Sequence, residues 1–111
     1  MSIKLDRLNN QFMEEISRIV NNEVRDENLG FVTITAVKIT NDLSYAKVYF
    51  TTLTDKEASL KTLNKASSFI RTNLSNRVKI RKMPLLEFVY DQSIEYGKKI
   101  ENIIERINEN E

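Results

Sequence analysis

Residues 61–82 read KTLNKASSFIRTNLSNRVKIRK, and how this stretch folds decides the architecture around it. Leu60, Leu63, Ala66, Ile70 and Leu74 recur at steps of three and four, the buried stripe of an amphipathic helix. Unbroken from Lys56 to Asn76, that helix would run about 30 Å, long for one small domain. Ser67 and Ser68 interrupt the pattern, and serine prefers to cap helices rather than fill them. The expectation is a helix broken at Ala66-Ser67-Ser68, with either serine capping a second half that folds back over a sheet.

The same stretch carries seven cations (Lys61, Lys65, Arg71, Arg77, Lys79, Arg81 and Lys82) and no carboxylate. The whole chain of 111 residues has 17 basic and 16 acidic side chains, so the positive charge is concentrated here. A break inside a basic segment presents backbone N–H groups and cations to one phosphate. The segment therefore reads as a nucleic-acid surface, most naturally for RNA; the alternative is a solvated helix face. Its candidate contacts are Lys65, Ala66, Ser67, Ser68, Arg71, Arg77, Lys79, Arg81 and Lys82, with Lys61 at the edge.

On the N-terminal side, residues 3–25 predict an amphipathic helix with Leu5, Leu8, Phe12, Ile16, Ile19, Val20 and Val24 inward and Ser2 as N-cap. Lys4, Arg7, Gln11 and Arg18 share its polar side with Glu15, so Lys4 and Arg7 are possible peripheral RNA contacts. Residues 26–30 end the helix, with Gly30 suited to a positive φ and Asn28 tolerant of one. Residues 31–39 and 44–51 predict two strands joined through Asn41-Asp42-Leu43 into an antiparallel hairpin. In the second strand Ala46, Val48 and Phe50 alternate with Tyr45, Lys47 and Tyr49. That outward Tyr-Lys-Tyr row either covers a half-exposed sheet or forms a platform for stacked bases.

Thr54-Asp55-Lys56-Glu57 has the spacing of a capping box with Thr54 as N-cap. Beyond the basic stretch, Pro84 stands at the start of a third strand, residues 85–90, where its missing donor costs nothing. Asp91-Gln92-Ser93 caps a last predicted helix with Tyr96, Ile100, Ile103 and Ile107 in one stripe. The expected domain covers residues 1–107, followed by a polar tail at 108–111, as one α+β unit with helices on one face of a three-stranded sheet.

Composition excludes several chemistries. With neither Cys nor His, the chain can form no disulfide, thiol nucleophile or imidazole general base, and it lacks the usual zinc ligands. No window approaches the roughly 20 apolar residues of a membrane span, and MSIKLDRLNNQF lacks the apolar run of a signal peptide. A cytoplasmic protein is expected, with no cofactor, metal, membrane or small-molecule substrate. An enzyme would need Asp42, Asp91 and Glu95 gathered around magnesium, yet Asp42 and Asp91 have local turn and cap roles. A protein-interaction module would dock through the hairpin edge or the last helix, and salt-independent binding to a protein would mark it.

The element order, with the loop Arg25-Asp26-Glu27-Asn28-Leu29, VTITAVKITNDLSYAKVYFT (32–51) and LNKASSFIRTNLSNRVKIRKMPLLEFVYDQSIEYG (63–97), resembles the ribosome-binding factor A family over nearly the whole chain. The most specific words are NDLSYAKVY, P-x-L-x-F-x-Y-D and S-I-E-Y-G. The resemblance implies a type II KH-like fold, α-β-β-α-α-β, in which a helix interrupted at Ala-x-Gly replaces the G-x-x-G phosphate clamp. Here Ala66, Ser67 and Ser68 match, with serine where the family usually has glycine. It further implies a non-catalytic, monomeric factor that binds the immature 30S subunit at 16S ribosomal RNA, aids its processing or folding, and is linked to growth in the cold. A guanine-nucleotide-dependent release partner is implied as well. An RNA-binding or chaperone domain unrelated to the ribosome is the alternative.

Overall fold

Alternating and helical periodicities give the elements their places. The computed structural model describes residues 3–24 and 29–93, in the order α1 (Ile3–Asn22), β1 (Val32–Ile39), β2 (Tyr45–Thr52), α2 (Lys56–Lys65), α3 (Ser67–Arg77) and β3 (Leu85–Tyr90). The sheet runs β1-β2-β3, with β1 and β2 antiparallel and β2 and β3 parallel. The helical crossover α2-α3 makes the second pairing parallel. This α+β order is the one the residues and the resemblance lead one to expect.

The three helices among the described residues lie on one sheet face. Phe12, Ile16, Ile19 and Val20 of α1 meet Ile34, Val37, Val48, Phe50 and Phe88 of the sheet and Leu63, Ile70 and Leu74 of the crossover. Phe50 and Tyr90 pack edge to face at 5.7 Å between ring centroids. Tyr45, Lys47, Leu85 and Glu87 face the other way and are exposed.

In β1 the buried residues are Val32 and Ile34, then Val37 and Ile39. Strict alternation would turn Val37 outward. A bulge between Ile34 and Ala36 absorbs the extra residue, so that Ile34 opposes Phe50 and Ala36 opposes Tyr49. Thr35, the residue left over, donates its hydroxyl to Asp91 Oδ2 at 2.6 Å. Asparagines satisfy the outer edges. Asn21 accepts from Val32 N–H and donates to Val32 O, Asn9 accepts from Ile39 N–H, and Asn64 accepts from Phe88 N–H.

Several expectations change. The first helix stops at Asn22, short of residue 25, where Asn21 turns its side chain to β1 instead. Gly30 has no positive φ. Its requirement is space: an added Cβ would lie 2.6 Å from Thr54 Cγ2. Thr54 does not cap α2, because its hydroxyl lies 3.0 Å from that of Thr52. Asp55 is the N-cap, accepting from the N–H groups of Glu57 and Ala58 at 2.9 and 3.1 Å. Asp91 Oδ1 accepts from Ser93 N–H at 3.0 Å, while beyond Ser93 the helix it is expected to cap lies outside the described residues. Ser2, Asn28 and the rest of the last predicted helix lie outside the described residues.

The hairpin closes over an unusual backbone. Leu43, a bulky residue, takes φ of 62° while packing against the core. Asp42 Oδ1 secures it, accepting from Thr40 Oγ1 at 2.8 Å and Ser44 N–H at 3.0 Å. These bonds, Thr40 first and then Ser44, pull the Asp42 carboxyl down to about 2 from 3.8, with a smaller pull from Lys82.

Two outcomes test this frame. Because the folded carboxyl titrates below the unfolded one, the turn's contribution is complete above about pH 4 and is lost as pH falls towards 2. Thermal melts of wild type should therefore fall more steeply over that window than those of Asp42→Asn. Gly30→Ala should lose about 1 kcal/mol in urea unfolding, recovered in part by Thr54→Ala in a double-mutant cycle.

Candidate nucleic-acid interface

The break falls at one residue. Ala66 ends α2 and begins α3 with φ −88° and ψ 1°, in the bridge region rather than the helical one. The ladder closes on both sides, Ala66 N–H to Thr62 O at 3.0 Å and Ile70 N–H to Ala66 O at 2.9 Å. No side chain caps α3, which corrects the expected serine cap. Ser67 and Ser68 instead occupy the first turn of α3, where N–H groups lack intrahelical acceptors and serine is tolerated. The bend is held by burial of Leu63 below it and Ile70 above it.

The cations near the bend have different fates. Arg71 is half-buried: Nε donates to Pro84 O at 3.1 Å and Nη2 to Met83 O at 2.7 Å. Its planar fork pins the start of β3 to the first half of α3. Residues 79–82 must therefore return along the side of α3, and Lys82 ends with Nζ 3.5 Å from Ser44 Oγ at the hairpin. Arg77 faces α1, with Nη1 3.4 Å from Glu15 and Nη2 3.6 Å from Glu23. Glu15 also holds Arg18 at 3.0 Å. The basic line expected along α1 is thus partly neutralised, although Lys4 and Arg7 remain exposed at its start.

Lys61, Lys65, Lys79 and Arg81 are exposed and make no ion pair among the described residues. Lys65 sits at the bend, while Lys79, Arg81 and Lys82 gather on the returning connection. Lys79 follows the far end of α3, and the connection brings Lys82 back towards Met83 and Pro84 beside the first half of that helix. Along α3 run hydroxyls turned onto the helix backbone, Thr72 to Ser68 O and Ser75 to Thr72 O. Asn73 spends an amide hydrogen on Phe69 O, which leaves Asn76 as the exposed carboxamide.

Three aromatics are exposed among the described residues: Phe31 just before β1, 72% exposed, and two nearer the basic stretch. Phe69, 48% exposed, lies beside the bend, and Tyr45, 54% exposed, lies on the bare sheet face. The signal for Phe69 was its place one residue off the Leu63, Ile70, Leu74 stripe. Asp42 and Asp91, two of the acids an enzyme would require, lie at opposite ends of the sheet, before Tyr45 and after Tyr90 respectively. Glu95 falls outside the described residues. The Asp91 carboxyl is held below its ordinary value by Ser93 and then Thr35.

Roles assigned this way separate by measurement. Arg71→Ala should cost about 2–3 kcal/mol in urea unfolding, from two bonds to a charged donor. Lys79→Ala and Arg81→Ala should stay within about 0.5 kcal/mol of wild type.

Comparison with known proteins follows the same outline. The family model "Ribosome-binding factor A" matches residues 4–104. A curated ribosome-binding factor A from Staphylococcus epidermidis is 49% identical over 113 aligned positions, 99% of this chain and 97% of the relative. The crystal structure of ribosome-binding factor A from Thermus thermophilus superposes with a TM-score of 0.74 at 27% identity, covering 78% of this chain and 93% of that one. A homology model of the Thermus thermophilus factor, fitted into a cryo-EM map of its complex with 30S, gives 0.63 at 27% identity, with 84% and 97% covered. On the family match and the near-complete identity span, the chain belongs to the ribosome-binding factor A family.

Proposed function

We propose that this chain is a non-catalytic assembly factor that binds immature 30S subunits at 16S ribosomal RNA and aids maturation of that RNA. The observation that carries the reading is a pair of exposed cationic groups without ion pairs among the described residues. Lys65 stands at the bend, and Lys79 with Arg81 lies on the connection that the Arg71 fork brings back along α3. A rigid pair of charged points suits the regular spacing of a phosphate backbone. A relative captured in a complex with 30S supports the choice of partner.

In this mechanism Lys65, Lys79, Arg81 and Lys82 neutralise phosphates, with Lys61 at the margin. Release of condensed counterions supplies most of the affinity. Phosphate contacts position the protein and carry no sequence information. Choice of site comes from RNA shape and from hydroxyls and Asn76 along α3 that meet 2′-hydroxyls. Arg71 and Arg77 act through the scaffold: one holds the connection in place and the other ties α3 to α1. No cofactor, metal or bond-making step enters. The factor works as a single copy in the cytoplasm, and its contribution is largest in the cold, where misfolded RNA escapes slowly.

Co-sedimentation with free 30S subunits tests the reading. Wild type should show log K falling with log salt at a slope of roughly −3 to −4, from four or five phosphate contacts. Lys79→Glu with Arg81→Glu should abolish co-sedimentation while the melting temperature holds. Arg77→Glu is the wrong probe, because it sets a carboxylate against Glu15 and Glu23 and destabilises the fold. Unchanged association of the double variant defeats the proposal.

A further inference from the structure

The bare face of the sheet carries a feature that the bent helix does not explain. Tyr45 of β2 lies opposite Leu85 of β3 in the parallel register, and the two are 54% and 53% exposed. Strand aromatics that merely cover a sheet pack against their neighbours. Tyr49 does so: it is half-buried, with Lys38 Nζ 5.7 Å from its ring centre. Tyr45 keeps its face open. Beside it lies a hollow of about 430 Å³ lined by Lys38, Ile39, Thr40, Tyr45, Lys47 and Glu87, within the size range of ligand sites.

Charge selects the occupant. Lys38 and Lys47 oppose each other across β1 and β2, and Glu87 sits opposite Lys47 on β3. Lys82 stands at the corner, its Nζ 3.5 Å from Ser44 Oγ, one residue before Tyr45. Nearby Asp42 is engaged by Thr40 and Ser44. Three lysines, against Glu87 and the Asp42 carboxylate beside Lys82, surround an open aromatic face, which is the pairing that unpaired nucleotides require: a ring for the base and cations for the backbone. A duplex hides its base faces and would find no use for Tyr45. Lys82 also belongs to the connection that carries Lys79 and Arg81, so the two surfaces meet at this corner.

We infer that the bare sheet face is a second RNA-binding site, in which Tyr45 stacks on a base of a single-stranded segment while Lys47 and Lys82 hold the adjoining phosphates. The inference rests on the reading above for the class of partner and not for the surface. The expected platform of Tyr45, Lys47 and Tyr49 narrows to Tyr45, because Lys38 already occupies Tyr49. RNA leaving the bent helix at Lys82 would thus turn the corner onto the sheet.

The chain contains no tryptophan, so Tyr45→Trp introduces a single reporter at the proposed stacking position. Titration of that variant with single-stranded U8 and A8 oligonucleotides should quench the emission, and a duplex of equal length should not. Tyr45→Leu keeps an apolar side chain on the strand and removes the ring, so stacking is lost without loss of folding. Its affinity for the oligonucleotides should drop roughly five- to one-hundred-fold with an unchanged salt slope, while Tyr45→Phe stays near wild type. Lys47→Ala should lower the salt slope by about 0.7. Wild-type affinity of Tyr45→Leu, or unquenched emission at saturating oligonucleotide, overturns the inference; quenching by a ribosomal protein in place of RNA overturns it too. Loss of 30S binding in the Lys79→Glu, Arg81→Glu variant beside normal behaviour of Tyr45→Leu would sink this site and leave the bent-helix reading standing.

Discussion

The basic surface depends on the guanidinium of Arg71. Its two donors grasp consecutive carbonyls, those of Met83 and Pro84, and so decide where the chain goes after α3. Without that grip residues 79–82 would be an open loop bearing three cations, and the entropy of ordering it would oppose any contact with a partner. With it, the loop is held along the helix. Pro84, buried and lacking an N–H, completes the arrangement because it asks for no hydrogen bond where the strand begins. A residue that first reads as a ligand contact thus has a structural role as well, holding its neighbours in place.

Much of this was legible in the chain. The helix and strand periods gave all six described elements in order, and two serines on an overlong helix marked its break within a residue of Ala66. Terminal details were less legible because competing side chains lie close together in sequence. Thr54 and Asp55 both suit an N-cap, and only the contact of Thr54 with Thr52 decides between them. Gly30 carries no mark that tells a need for space from a need for positive φ. For the site, local sequence shows how many cations there are but not which are spent. Glu15 and Glu23 neutralise Arg77 from more than fifty residues away, and no spacing rule reveals it.

Placement of every described helix on one side of the sheet has its own consequence. Three strands sandwiched between layers would read as continuous apolar runs. Here β2 alternates strictly, and β1 does so once its bulge at Thr35 is allowed for. The bulge and the Thr35 bond to Asp91 belong together. The extra residue that keeps Val37 and Ile39 inside also brings a hydroxyl to the end of β3.

The asparagines at the rim of the sheet protect more than their hydrogen bonds. Exposed strand edges template the addition of foreign strands, the first step towards fibrils. Asn9 and Asn21 occupy backbone groups at both ends of β1, and Asn64 occupies one on β3. Each amide mimics the neighbour that a growing aggregate would supply, so Val32, Ile39 and Phe88 are already engaged. In a crowded cell this is a chemical courtesy: the protein offers half-folded chains little to zip onto.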